Sequence, residues 1–124
     1  MGRRGLLLAF VSDIWMVSSA RIYRWLEAQT PALMREEVAT ALIVCNAPHV
    51  IKSFINSTPI PPLFPVLADA DRRLHVLAGF ERGEGLLMLD VRRQVRGSWL
   101  LKADAPPRSK KFLQAVRSFD LPAV

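Results

Sequence analysis

The stretch "GLLLAFVSDIWMVSSARIYRWLE", Gly5 to Glu27, decides how the rest of the chain is read. Gly5–Val11 is a continuous apolar run of strand length, the pattern of a strand buried on both faces. It breaks at Ser12-Asp13 and passes Trp15. It then becomes helical in period, with Ile22, Trp25 and Leu26 on one side and Arg21, Arg24 and Glu27 on the other. A strand that feeds a helix places backbone N–H groups and the helix dipole at the junction, a favoured position for chemistry. The junction holds Met16, Val17, Ser18 and Ser19, and either serine can act as the helix N-cap.

Outward from this unit, the helical period continues to Leu33 and Met34 but meets Pro31, which is expected to kink or divide the helix near Gln29-Thr30. "VATALIVC", Val38 to Cys45, reads as a second buried strand. Asn46-Ala47-Pro48 opens a helix with Val50, Ile51, Phe54 and Ile55 on one face, ending by Ser57-Thr58. "PIPPLFP" is a stiff connector, and Phe64–Leu67 is a short strand at most. Asp69 caps a short helix from Ala70 to Ala78 that Gly79 stops. Gly85–Asp90 and Val95–Lys102 form an antiparallel hairpin about an Arg92-Arg93 turn. Ser109 caps a last helix with Phe112, Leu113, Val116 and Phe119 on one face. The order β-α-β-α-(β)-α-β-β-α predicts a single α/β domain over residues 1–124, a three-layer α/β/α sandwich with a mixed central sheet.

Composition narrows the function classes. The 124 residues are 51% apolar and 23% charged, enough apolar matter for one packed core. Cys45 is the only cysteine, which excludes an internal disulfide, a CxxC motif and a zinc site built on several thiolates. A reducing, cytoplasmic setting follows as the expectation. The start "MGRRGLLLAFVSDIWMVSSA" resembles a signal segment, but Asp13 interrupts its apolar run early and cleavage near Ala20 would leave a chain that begins inside a helix. No run reaches the roughly 18 apolar residues of a membrane span. The net charge of +6 is spread along the chain, with short clusters at Arg92, Arg93 and Arg96 and at Arg108, Lys110 and Lys111. Few aromatic residues lie between them for base stacking, so a nucleic-acid partner is not expected.

One segment carries a resemblance. "FPVLADADRRLHVLAGF", Phe64 to Phe80, is similar to the Phe-Pro-Val-Leu-x-Asp-x-Asp/Glu run and short following helix of the peroxiredoxin-like family, the alkyl hydroperoxide reductase / thiol-specific antioxidant (redoxin) branch of the thioredoxin-like superfamily. "LIVCNAPHVIKSFI" resembles that family's second core strand and helix, "GLLMLDVRRQVRGSWL" its hairpin and "SKKFLQAVRSF" its closing helix, so the likeness covers roughly residues 5–120. It implies a thioredoxin-like fold and an antioxidant oxidoreductase ancestry. It also implies a peroxidatic cysteine in the first turn of the first helix. The matching residues are Trp15, Met16, Val17, Ser18, Ser19, Ala20 and Arg21, with no thiol among them. A serine hydroxyl cannot run the sulfenic-acid cycle. The family's supporting arginine is expected near Arg82, although strict register places Glu84 there.

Two readings of Cys45 stay open. It ends the second strand, at the sheet edge where ligands gather in parallel sheets, and could be a displaced redox group. It could equally be an inert small hydrophobe. Ser18 and Ser19 lack a nucleophile-elbow motif and read as capping residues. His49 and His75 read as surface or boundary residues, too few for a metal site. Asp69, Asp71 and Asp90 read as caps and turn residues rather than a cation cluster, and Trp15 and Trp25 as core. No cofactor or metal is expected. The leading expectation is a peroxiredoxin-like domain that has lost its catalytic thiol and acts as a binding or regulatory module, on a protein partner or as a homodimer. The alternatives are a single-cysteine redox protein acting through Cys45, and a polyanion binder using Arg92, Arg93, Arg96 and Lys110.

Overall fold

The computed structural model describes residues 4–81, 83–101 and 106–118. Its elements are β1 (Gly5–Val11), α1 (Val17–Arg35), β2 (Val38–Val44), α2 (Pro48–Ser57), β3 (Val66–Ala68), α3 (Arg73–Leu77), β4 (Glu84–Asp90), β5 (Val95–Leu101) and α4 (Ser109–Ser118). They build one five-stranded mixed sheet in the order β3-β2-β1-β4-β5. The apolar run Gly5–Val11 takes the centre, parallel to β2 from Gly5↔Val38 to Val11↔Val44 and antiparallel to β4 on its other side. An all-apolar strand is required there because both of its faces are covered.

Strand alternation divides the core. Leu7, Ala9, Val11, Leu42, Val44, Leu86 and Met88 meet the buried faces of α1 and α4 and the apolar side of α2. Trp25 of α1 lies edge-on to Phe112 of α4 at 4.9 Å, and Trp99 of β5 lies 5.2 Å from the same ring. On the opposite face Phe10, Ile43 and Phe80 form a smaller cluster with Leu8, Leu87 and Ala78. Among the described residues, α3 and its flanking turns form that outer layer. Phe80 packs against β4 because Gly85 has no side chain, and a Cβ there would clash with the Phe80 ring.

Several sequence expectations are corrected. α1 does not break at Pro31: it runs through it for 19 residues. Pro31 is on the solvent side, while Leu26, Thr30 and Leu33 are buried on the other. The Thr30 hydroxyl also bonds the Leu26 carbonyl at 2.7 Å and lies 3.2 Å from the Thr40 hydroxyl. These contacts offset the roughly 3 kcal/mol that an interior proline costs. Neither Ser18 nor Ser19 caps α1. The N-cap is Met16, both serines are buried inside the helix, and Asp13 organises the preceding turn by accepting from Trp15 N–H at 3.0 Å. α3 is shorter than Ala70–Ala78 because Arg72 is left-handed, at φ 60°. Asp69 still satisfies that helix start, accepting from Leu74 N–H at 3.0 Å and His75 N–H at 2.9 Å. Trp15 is not core, at 55% exposed, and Met34 is also exposed, whereas Trp25 is buried. The hairpin and the last helix stand where expected; Lys102 and Phe119 lie outside the described residues.

Candidate functional site

Two groups of residues meet at the edge of the sheet where β1 and β2 end. The first is the start of α1. Asn46 laces this loop to the end of β2, accepting from Ile14 N–H at 2.8 Å and donating to the Asp13 carboxylate at 3.1 Å. Trp15, Met16 and Val17 project outward at 55%, 50% and 72% exposure, with Trp15 resting on Phe54 of α2 at 5.3 Å. Arg21 is exposed, Ser18 and Ser19 are buried, and the Ser19 hydroxyl has no hydrogen-bond partner among the described residues. This turn holds no thiol; its one sulfur is the Met16 thioether.

The second group surrounds Cys45. Its N–H donates to the Ser12 carbonyl at 2.8 Å, and its half-buried Sγ lies 3.1 Å from Nη1 of Arg72. The left-handed backbone at Arg72 throws its side chain back across the sheet edge. There the guanidinium makes five hydrogen bonds, to Cys45 Sγ, the Ser12 hydroxyl, and the carbonyls of Phe80, Glu81 and Gly83. It therefore fastens the ends of β1 and β2 to the turn that leads into β4. The fork geometry of arginine, with several fixed donors, is what allows one side chain to do this.

Beneath the thiol is a buried contact between histidine and a carboxyl group that the sequence did not suggest. His75, read as a surface or boundary residue, is fully buried. Its Nδ1 lies 2.6 Å from Asp69 Oδ2 and its Nε2 lies 2.9 Å from the Val11 carbonyl. A carbonyl only accepts, so the ring turns an N–H toward Val11, and its other nitrogen is engaged by the Asp69 carboxyl. Cys45 Sγ is 3.5–3.6 Å from both ring nitrogens, but each already has its partner. No free imidazole lone pair exists to take the thiol proton, so Cys45 and His75 do not form a nucleophile–base couple.

The electrostatics agree. Burial pushes the Cys45 thiol up; Arg72 opposes this, while the Asp69 and Glu84 carboxylates reinforce it, and the net shift is upward. Thiolate is the nucleophile, so a raised thiol is a slow one. Burial acts to raise Asp69 too, but the His75 ring and the N–H groups of Leu74 and His75 outweigh it, and the carboxyl is held below its ordinary value. Asp90 is also lowered. Burial raises it, whereas Gln94 N–H, the Arg96 guanidinium and Arg92 N–H together lower it further. Both carboxyls bind protons less well in the folded chain, so they stabilise it above the unfolded carboxylate range and lose that contribution as pH falls. Urea midpoints are expected to hold from neutral pH to about pH 5 and to drop progressively below it. A midpoint that rises on acidification would contradict the two lowered carboxyls.

The structure therefore separates the expected site residues. Cys45 bonds Ser12 and Arg72 and packs on the His75 ring, and none of residues 15–21 is among these partners. The arginine that meets a cysteine is Arg72; Arg82 lies outside the described residues. Arg96 is paired with Asp90 at 2.9 Å, while Arg92, Arg93 and Lys110 are exposed. No helix is long and apolar enough to cross a membrane among the described residues.

No protein-family model matches this sequence, and no curated protein matches it by sequence. Solved structures do match by shape. The Xanthomonas campestris bacterioferritin comigratory protein, described for its alkyl peroxide reduction activity, aligns with a TM-score of 0.76 at 13% identity, over 94% of this chain and 79% of its own. Mycobacterium tuberculosis AhpC aligns at 0.76 with 9% identity, over 94% and 70%. A thiol:disulfide interchange protein DsbE from Chlorobium tepidum aligns at 0.73 with 12% identity, over 94% and 80%. At these identities the likeness is one of fold. The strand order, the short β3 and the closing hairpin and helix, together with these neighbours, give the chain a thioredoxin-like fold of the peroxiredoxin type.

Proposed function

We propose that this chain is a peroxiredoxin-like scaffold without thiol peroxidase chemistry at α1, and that it serves as a cytoplasmic binding or regulatory module. The observation that carries this reading is the start of α1. Where the family resemblance calls for a reactive thiol, the turn presents Trp15, Met16 and Val17 to solvent. Clustered exposed apolar side chains of this kind mark interaction surfaces. The partner is a protein or a second copy of the chain that covers these three residues.

The contact between Arg72 and Cys45 favours a second reading, a single-cysteine redox protein, because a guanidinium beside sulfur stabilises a thiolate. The upward net shift of the thiol and the committed His75 nitrogens weigh against it. Steady-state turnover separates the two. With an organic hydroperoxide and dithiothreitol as reductant, the wild-type chain is expected to consume peroxide no faster than Cys45→Ser. Turnover that depends on Cys45 would overturn the first reading in favour of the second.

A further inference from the structure

We propose that a second copy of the chain packs on the open face of the sheet, with α3 of each copy seated on the sheet of the other. This surface is separate from the α1 start and from Cys45, and depends on no reading of either. Strand alternation puts Leu6 and Leu8 of β1, Ala39 and Ala41 of β2, and Leu87 and Leu89 of β4 on the face opposite α1 and α4. None of them is polar, although a sheet face that meets water normally alternates to polar residues. The cover over this face is partial. α3 and its turns close the cluster of Phe10, Ile43 and Phe80, but Leu6, Leu8, Leu87 and Leu89 are only half-buried.

α3 is turned the wrong way for a helix that ends at water. It buries His75 and exposes Leu74, Val76 and Leu77, the last at 78%. Leu74 and Leu77 share a cavity of about 190 Å³ with Leu8 and Leu87. Leu8 also lines the neighbouring cavity, of about 390 Å³, with Leu6, Ala39, Ala41 and Leu67. The two are therefore one continuous apolar surface: a ridge made by α3 beside a shelf of bare sheet. At the rim of the shelf the Thr30 and Thr40 hydroxyls lie 3.2 Å apart and answer each other.

This shape fits its own copy. A two-fold axis lying between two facing sheets, along the foot of the ridge, brings the ridge of each copy onto the shelf of the other, so both faces close at once. A charged partner would find no counter-charge on the central strands of this face. Four strands about 4.8 Å apart, over six residues that rise about 3.3 Å each, span roughly 400 Å² of sheet. Two such faces, with the sides of both α3 helices, together reach about 1,000 Å², the lower bound of a specific interface.

Sedimentation of the full chain from about 1 µM to about 200 µM, a range that brackets a micromolar dissociation constant, tests the proposal. The expected result is a concentration-dependent shift from monomer to dimer. Leu77→Glu on the ridge and Leu67→Glu on the shelf should each raise the dissociation constant about a hundredfold, because the two-fold axis buries every such charge twice. Both side chains are exposed, so the urea midpoints of the dilute variants should stay at the wild-type value. Val17→Glu, at the α1 start, should leave the dimer intact. A chain that stays monomeric throughout would overturn the proposal, even if this face then binds a lipid vesicle or an apolar peptide. So would a dimer that survives Leu77→Glu or Leu67→Glu. Loss of the dimer in Val17→Glu would place the contact at the α1 start instead.

Discussion

His75→Ala is expected to destabilise the chain by about 3–5 kcal/mol, because it leaves the buried Val11 carbonyl unpaired, strips the ring hydrogen bond from the buried Asp69 carboxyl and opens a cavity. Asp69 is 5% exposed, and its Oδ2 faces the His75 ring at 2.6 Å. The cavity opens beside Phe10, whose ring lies 5.1 Å from the imidazole. Such a loss is a large share of the 5–15 kcal/mol that holds a small domain folded. Urea unfolding checks the value. Asp69→Asn placed on the His75→Ala background should cost little more, because the ring that the carboxyl bonds is already gone. A loss below about 1 kcal/mol for His75→Ala would mean that the pair is not buried as described.

Phe112→Ala is expected to cost a similar 3–5 kcal/mol through the cavity that it leaves. Phe112 is 1% exposed and is the central ring of a trio with Trp25 and Trp99. It is the main anchor of α4, with Val116 one turn on. Two polar contacts close the same junction: Trp25 Nε1 donates to the Pro107 carbonyl at 2.9 Å, and Gln29 Nε2 to the Ser109 hydroxyl at 2.6 Å. Losing the ring should let α4 detach and expose Trp25. A lower urea midpoint together with red-shifted tryptophan emission is the expected result. A shifted midpoint without an emission change would place the loss elsewhere.

The frame of the fold was legible because it is written in long, simple patterns. The apolar run Gly5–Val11 can only be a central strand, and the branched run Val38–Val44 follows it into the sheet. The hairpin showed in its paired runs around Arg92-Arg93, and the last helix in the spacing of Phe112 and Val116. What stayed hidden depends on contacts between residues distant in sequence. Pro31 breaks a helix by local rules, yet burial of Leu26, Thr30 and Leu33 holds α1 together.

The site was misread for a related reason. In "RRLHVLAG" His75 falls within a short helix and reads as a surface or boundary residue. The structure inverts this: Leu74, Val76 and Leu77 are exposed, and His75 is the one that turns inward. The six-residue step from Asp69 to His75 does not fit a helix period, and the segment between them is not a strand. It works only because Arg72 turns left-handed between them, and nothing in a non-glycine residue announces that. The same turn delivers Arg72 to Cys45. The absence of a thiol from residues 15–21, by contrast, needed no structure.

The protonation of Cys45 tests most directly whether this scaffold retains a working redox group. Rates of iodoacetamide alkylation across pH, read by intact mass on the native chain and on the chain unfolded in urea, give the thiol midpoint in each state. The expected result is a native midpoint above the unfolded one, with slower alkylation at neutral pH, because burial and the Asp69 and Glu84 carboxylates outweigh Arg72. A native midpoint below the unfolded one, with faster alkylation, would show that Arg72 prevails and that Cys45 is an activated thiol.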